Sequence, residues 1–555
     1  MTTYLGLLFV ALSAVSKPCF AAFVSIDCGS ISGYTDGNSI RWSGDGNYTL
    51  NGLGYEIDFP LFRAGHVVST LRAFTTPKKN CYTIYNLENG ERVLVRATFY
   101  YSNYDGKNNP PSFDLLFDGN LWRSLNLSEY GEDKILTTEV IYAVIGNSTS
   151  ICVAQTVPNQ RPFINSIELR SLDSKMYNHA GSNRFLYLLN RAAQGANQTI
   201  RYPEDPYDRV WYPYGAEDHQ ENVTNVAATI HVSSAEDQPP QAVLRNAIAS
   251  TSTMVPVVLD IARTSTMGPA ILDTNVPGEK IFYIAIYFSE VIQLELSHKR
   301  SIQIYIDNDP YNLDPIIPPF GSVLEVPITN LTAFLNTTIT VWAASNSTLP
   351  PLINAYEVYA VFKAQPSGTN SKDVQGLVAL QNAFNDLQQY TGDPCLPPPH
   401  WWEWVHCSTG AMPRIIGLNL SSSGLAGSLP DFSSMDALQR IDFSQNSLNG
   451  PIPEFLGSFR HLGLLVTGNC LDGMSCPEQN PTSLPPSAPP SSTFEAPPPP
   501  VVLPNETKPP LTSTGNRKNV DKIPIILGAT IQGLLLFLLQ ISINCSTGFV
   551  VLKWL

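Results

Sequence analysis

The richest aromatic–acidic cluster in a loop setting is Tyr100, Tyr101, Tyr104 and Asp105, inside the run ATFYYSNYDGKNNPPSFDL from Ala97 to Leu115. Aromatic rings pack on the C–H faces of sugars, and a carboxylate partners the sugar hydroxyls once water is removed. The cluster is therefore a candidate carbohydrate-binding site. Packing competes with that role, because Tyr100 and Tyr101 point to opposite faces if both lie on a strand, which puts at least one in a core. Catalytic constellations are missing. The sequence holds no H-E-x-x-H, no G-x-S-x-G and no G-x-x-x-x-G-K-[ST]. A pair of carboxylates for glycoside cleavage is recognised by separation in space and stays open. The eight histidines are scattered, the cysteine spacings make no C-x2-C set, and we expect no metal and no cofactor.

Presenting such a cluster takes a scaffold, and 555 residues are enough for several domains. The net charge of −14, with only 14% charged residues, speaks against nucleic acid or an anionic membrane surface as partner. Between Val24 and roughly Lys363, short runs rich in Val, Ile, Tyr and Phe are broken by Gly, Pro, Asn and Asp. Phe282, Ile284, Ile286 and Phe288 alternate with Tyr283, Ala285 and Tyr287; Ile302, Ile304 and Ile306 repeat the pattern. Many short strands without long amphipathic helices predict a β-sandwich.

A different pattern follows. Ile415, Leu418, Leu420, Ser423, Leu425, Gly427 and Leu429-Pro430 recur 23 residues on as Leu438, Ile441, Phe443, Asn446, Leu448, Gly450 and Ile452-Pro453. A third, partial copy keeps Leu464, Val466, Asn469, Leu471 and Gly473. That period predicts a short leucine-rich-repeat solenoid, which cannot bury its apolar face without neighbours. Cys395 with Cys407 and Cys470 with Cys476 bracket the block as two close pairs, read as disulfides. The pairing of Cys28, Cys81 and Cys152 stays open. Trp401, Trp402 and Trp404 predict a hydrophobic cap on the first repeat, with an exposed partner platform as the alternative.

The ends point to export. Residues 1–22 read as a secretory signal with an apolar core at Leu5 to Val15. Glycosylation acceptors stand at Asn47, Asn126, Asn147, Asn197, Asn222, Asn330, Asn336, Asn346, Asn419 and Asn505. Residues 477–522 form a proline-rich, disordered spacer. Residues 523–543 are long and apolar enough for a single transmembrane helix, with a glycolipid-anchor signal as the alternative. No cytoplasmic catalytic domain is expected.

Several motifs occur in order. Ser25-Ile26-Asp27-Cys28-Gly29 resembles the opening of plant malectin-like domains, and Arg72-Ala73-Phe74 with Asn80-Cys81-Tyr82 resembles their RSFP…NCY segment. Asn103-Tyr104-Asp105-Gly106 with Pro111 to Leu115 is similar to YGNYDG…P-x-FDL, with Ser102 in place of its first Gly. Arg201-Tyr202-Pro203-Glu204-Asp205-Pro206-Tyr207-Asp208-Arg209 with Trp211 is similar to RYPDDPYDRxW. Gly392-Asp393-Pro394-Cys395 to Cys407 looks like the segment joining such domains to leucine-rich repeats. The chain thus resembles plant malectin-like, leucine-rich-repeat receptor-like proteins, close to the kinase-lacking receptor-like protein 4 group. The resemblance implies a mostly β fold with two tandem malectin-like β-sandwich lobes, at 24–190 and 200–365. A linker (366–392) and a disulfide-capped repeat block (393–476) follow before the spacer and the hydrophobic helix. It implies a plasma-membrane receptor-like protein with an extracellular ectodomain. Its expected partners are a cell-wall oligosaccharide or a secreted peptide, and a receptor kinase or other co-receptor. A peptide- or protein-binding co-receptor without carbohydrate binding is the alternative.

Overall fold

One strand, Arg184–Gln194, ties the first half of the β-rich region to the second. In the computed structural model, which describes residues 21–57, 66–131, 134–181, 183–259, 281–332, 337–364, 368–459, 462–473 and the strands Gln540–Ile543 and Val550–Lys553, it lies within an 11-stranded sheet. On one edge it meets Leu136–Ala143 over Val140↔Tyr187 and Ile141↔Leu186. On the other it pairs along Ala355–Lys363, from Arg184↔Lys363 to Ala193↔Ala355. The sheet continues outward through Arg92–Phe99 and Ser166–Ser171 on the first side, and through Ile281–Phe288 and Leu324–Thr332 on the second. The expected boundary near residue 190 therefore falls inside a strand.

Smaller antiparallel sheets share cores with this one. Lys79–Tyr85, Ser148–Gln155, Ser112–Phe117 and Asn120–Asn126 form one, and Leu115, Phe117, Ile151 and Val153 share a core with Val95, Ala97 and Phe99. In the second half, Ile302–Ile306 and Ile339–Ala343 belong to another, whose Ile304 and Val341 pack with Ile284, Ile286 and Phe288. The period-two pattern of residues 282–288 falls on the strand Ile281–Phe288. Both faces are buried, because Tyr283, Ala285 and Tyr287 enter a separate core with Trp211, Ile230 and Leu244. A strand covered on both sides needs apolar residues at every position.

The segment 366–392, expected as a linker, contains the helix Ser371–Ala383. Asn370 caps it, accepting from Lys372 N at 3.0 Å. Its Leu377 and Leu380 share a core with Trp402, Trp404, Ile415 and Leu418. Beyond it, Ile415–Asn419, Arg440–Asp442 and Gly463–Leu465 pair in parallel, Gly417↔Arg440↔Gly463, at the 23-residue interval of the sequence repeat. This is a solenoid-like β arrangement. Asn446 and Asn469 hold it together from inside. Asn446 Oδ1 accepts from Ser423 N and Leu425 N, and its Nδ2 donates to Leu420 O and Phe443 O.

Two expectations fall partly or wholly outside the described residues: the signal segment up to residue 20 and the proline-rich spacer. Of the expected C-terminal helix, the last four residues are described, and they differ from the expectation. Gln540–Ile543 pairs antiparallel with Val550–Lys553. The β-branched residues Ile541, Ile543, Val550 and Val551 favour that extended form. No helix among the described residues is long and apolar enough to cross a membrane.

Candidate ligand-binding surface

The loop after the strand Arg92–Phe99 turns back at once. Ser102 and Asn103 adopt φ of 43° and 50°, and Tyr104 N and Gly106 N donate to Tyr101 O and Asn103 O. Ser102 thus takes the left-handed conformation that favours glycine, the residue it replaces in the related motif. Asp105 closes the turn, accepting from Tyr101 OH at 2.6 Å and from Lys107 N at 3.3 Å. The four candidate residues consequently separate. Tyr100 and Tyr101 are 5% and 3% exposed, and Tyr100 N donates to Asn165 Oδ1 at 2.6 Å. Tyr104 is half-buried, its ring 5.0 Å from Tyr55 and 5.4 Å from Phe163. Burial and the neighbouring Asp105 carboxylate push the Tyr104 phenol above its ordinary pKa. Asp105 is half-buried, with Oδ2 at 3.6 Å from Lys107 Nζ. An aromatic edge beside a carboxylate is therefore reachable at Tyr55, Tyr104 and Asp105.

A second concavity had no signal in the spacing. A cleft of about 680 Å³ is bordered by Tyr34, Arg41, Trp42, Asp45, Asn47 and Arg72. Its floor is a fork, with Arg72 Nε and Nη2 each 2.6 Å from one oxygen of Asp45. Gly29 N and Tyr82 OH also donate to Asp45. Arg72 stood in a recognised motif, but Asp45 lies 27 residues earlier and nothing local links them.

The largest polar constellation is buried. Arg96 meets Glu139 at 2.9 Å and Glu168 at 2.5 Å; Arg170 and Arg201 meet Asp208 at 2.7 and 2.8 Å. Arg191 bridges Glu139 and Glu357, at 2.6 Å each, and Arg209 holds Asp205 at 2.8 Å. Burial alone would raise the Asp208 carboxyl, but Arg96, Arg170 and Arg201 outweigh it and hold the group well below the carboxylate range. The RYPEDPYDR run thus supplies structural ions. Among the described residues no group of three or more His, Cys, Asp and Glu could hold a metal.

Cysteines and sequons fall as follows. Cys395–Cys407 is a disulfide, as is Cys81–Cys152, and Cys28 is free and buried. Cys470 is disulfide-bonded; Cys476 lies outside the described residues. Asn47, Asn147, Asn197, Asn222, Asn330, Asn346 and Asn419 are exposed. Asn126 is half-buried with Nδ2 donating to Glu129, and Asn336 and Asn505 lie outside the described residues. Trp402 and Trp404 are buried, whereas Trp401 is 38% exposed.

Residues 26–361 match the family model described as malectin-like domain. An uncharacterised Arabidopsis thaliana protein is 34% identical over 63% of this chain and 67% of its own length. The probable LRR receptor-like serine/threonine-protein kinase MEE39 of Arabidopsis thaliana is 32% identical over 73% of this chain. The chain spans 45% of that kinase's length. Among solved structures, the ANX2 ectodomain from Arabidopsis thaliana superposes with a TM-score of 0.51 at 16% identity, over 62% of this chain and 97% of that one. The structure of plant peptide RALF23 in complex with FER and LLG2 gives 0.50 at 15% identity, over 62% and 96%. At these identities the structural likeness is one of fold.

Proposed function

The chain belongs to the malectin-like domain family, and on that premise we propose that it is a receptor-like protein of the plasma membrane with an extracellular ectodomain. Its ligand is a cell-wall carbohydrate, and it acts through a partner receptor kinase or other co-receptor. Two malectin-like lobes, at 24–190 and 200–365, carry recognition, and a leucine-rich-repeat block follows, capped by a Cys470–Cys476 bridge. The C-terminal apolar segment attaches the chain to the membrane, as a single span or through a glycolipid anchor. The exposed sequons carry glycans.

The observation that carries the carbohydrate reading is the reachable edge of Tyr55 and Tyr104 beside Asp105. A sugar ring laid on the Tyr104 edge would place its hydroxyls at Asp105 Oδ2, while Tyr101 OH keeps Oδ1 occupied. Tyr100 and Tyr101 act from behind as packing. The test is a cell-wall glycan array probed with the full chain, with Tyr104→Ala and Asp105→Asn alongside. Each substitution should weaken binding at least about tenfold, the loss of one desolvated polar or stacking contact. Asp105→Asn retains an acceptor for Tyr101, so loss there reports the ligand contact. Unchanged binding in both variants removes the site.

The second reading, a peptide- or protein-binding co-receptor, is favoured by the neighbouring structure whose description names a peptide and a second protein beside the receptor. Silence across the array combined with binding of a secreted peptide would decide for it.

A further inference from the structure

The open face of the parallel sheet carries one chemically distinctive residue. Leu418 and Leu420 are buried, so alternation turns Asn419 between them to the outer face, and Asn419 is exposed. Register places Asn419, Asp442 and Leu465 side by side on successive strands. Leu465 is 43% exposed, and Asp442 is half-buried, accepting from Ser444. The strand His406 belongs to flanks the same face, with His406 paired to Gly417. This face is the surface a solenoid usually offers to a partner.

Asn419-Leu420-Ser421 is also a glycosylation acceptor. The folded geometry suits an occupied one. Ser421 Oγ donates to Asn419 Oδ1 at 3.0 Å, and no described residue accepts from Nδ2, the atom that bears the sugar. Asn126 differs, since its Nδ2 donates to Glu129 at 2.7 Å. We propose that an N-linked glycan on Asn419 sheathes the open sheet face, closing it to protein partners. Strands lie ~4.8 Å apart, so Leu465 stands only ~10 Å from Asn419, within the span of a glycan core. Recognition is thereby directed to the strand-rich region before residue 365. The inference rests on the extracellular reading above.

The test uses the full chain from a eukaryotic secretory host. Glycans are released enzymatically in heavy-oxygen water, and mass spectrometry locates the marked sites. Hydroxyl-radical footprinting then compares Leu465 in the glycosylated protein, the released protein, Asn419→Gln and Ser421→Ala. The expected result is a marked Asn419 and a severalfold rise of Leu465 oxidation in the released protein and both variants. Marks at Asn147 and Asn346 with Asn419 bare overturn this proposal and leave the extracellular reading standing. Absence of marks at every sequon overturns both. A marked Asn419 with equal Leu465 oxidation in all four samples shows that the glycan does not cover the face.

Discussion

Two buried carboxylates show how neighbours decide a residue's chemistry. Asp27, 1% exposed, has its pKa pushed up to about 7 by burial and by the nearby Asp45, against a hydrogen bond from Thr70. Between about pH 4 and pH 7 the folded protein keeps a proton that the unfolded chain has released, so stability falls as pH rises through that window. Asp27→Asn, which still accepts from Thr70, should flatten that slope and add on the order of 1–3 kcal/mol at pH 7. Chemical denaturation at pH 4.5 and pH 7, both within about that window, checks it. Asp208 has the opposite sign. Its lowered carboxyl stabilises the fold above about pH 4, and that contribution is lost as pH falls. Asp208→Asn strips charge from Arg96, Arg170 and Arg201 and should cost about 3–5 kcal/mol, read from the same curves at pH 7. None of this was legible in the sequence, because a pKa depends on partners such as Arg96, 112 residues from Asp208. The aromatic–acidic cluster was legible as a motif. Which of its members faces solvent depended on a turn through Ser102 and Asn103.

At the scale of elements, the 23-residue repeat was readable because each strand needs the same inward Leu or Ile as the one below it. The ladder asparagines follow from the same logic. Asn446→Ala would leave Ser423 N, Leu425 N and Leu420 O short of a partner, while Phe443 O keeps Asn469 Nδ2, and should cost about 3 kcal/mol, measured by thermal or denaturant unfolding. The helix Ser371–Ala383 lies in the segment whose sequence predicts a linker. Its apolar stripe is short, and its charged anchor, Asp373, is satisfied from outside by Arg414 at 2.8 Å. Only the fold brings those two together. The strand residues 282–288 show the converse, since a clean alternation was present although both faces are buried.

At the scale of the whole molecule, the GDPC segment seats the solenoid-like block on the strands of the first half of the chain. Lys79 Nζ donates to Asp393 O at 2.5 Å, His400 Nε2 lies 2.6 Å from Asp114 Oδ2, and Lys78 N donates to Glu403. Gly392, at φ 75°, leaves no room for a side chain, because a Cβ there would lie 2.4 Å from Cys81 Sγ. Gly424 has a similar φ of 72° and open space around it. Gly392→Ala should therefore destabilise by about 3 kcal/mol or more, against about 1 kcal/mol for Gly424→Ala, which carries backbone strain alone. Limited proteolysis should separate the block from the strands sooner in the first variant only. By itself, the sequence determined whatever recurs or is local: strand-rich composition, the repeat period, the close cysteine pair Cys395–Cys407, the sequons and the ordered family motifs. The tertiary structure decided what depends on distant partners. It joined the two halves through Arg184–Gln194, paired Cys81 with Cys152, buried the RYPEDPYDR ions, and left only Tyr104 and Asp105 of the expected site within reach. The physical reason is that periodicity and turn chemistry act between neighbours in the chain, whereas burial and ion pairing act between neighbours in space.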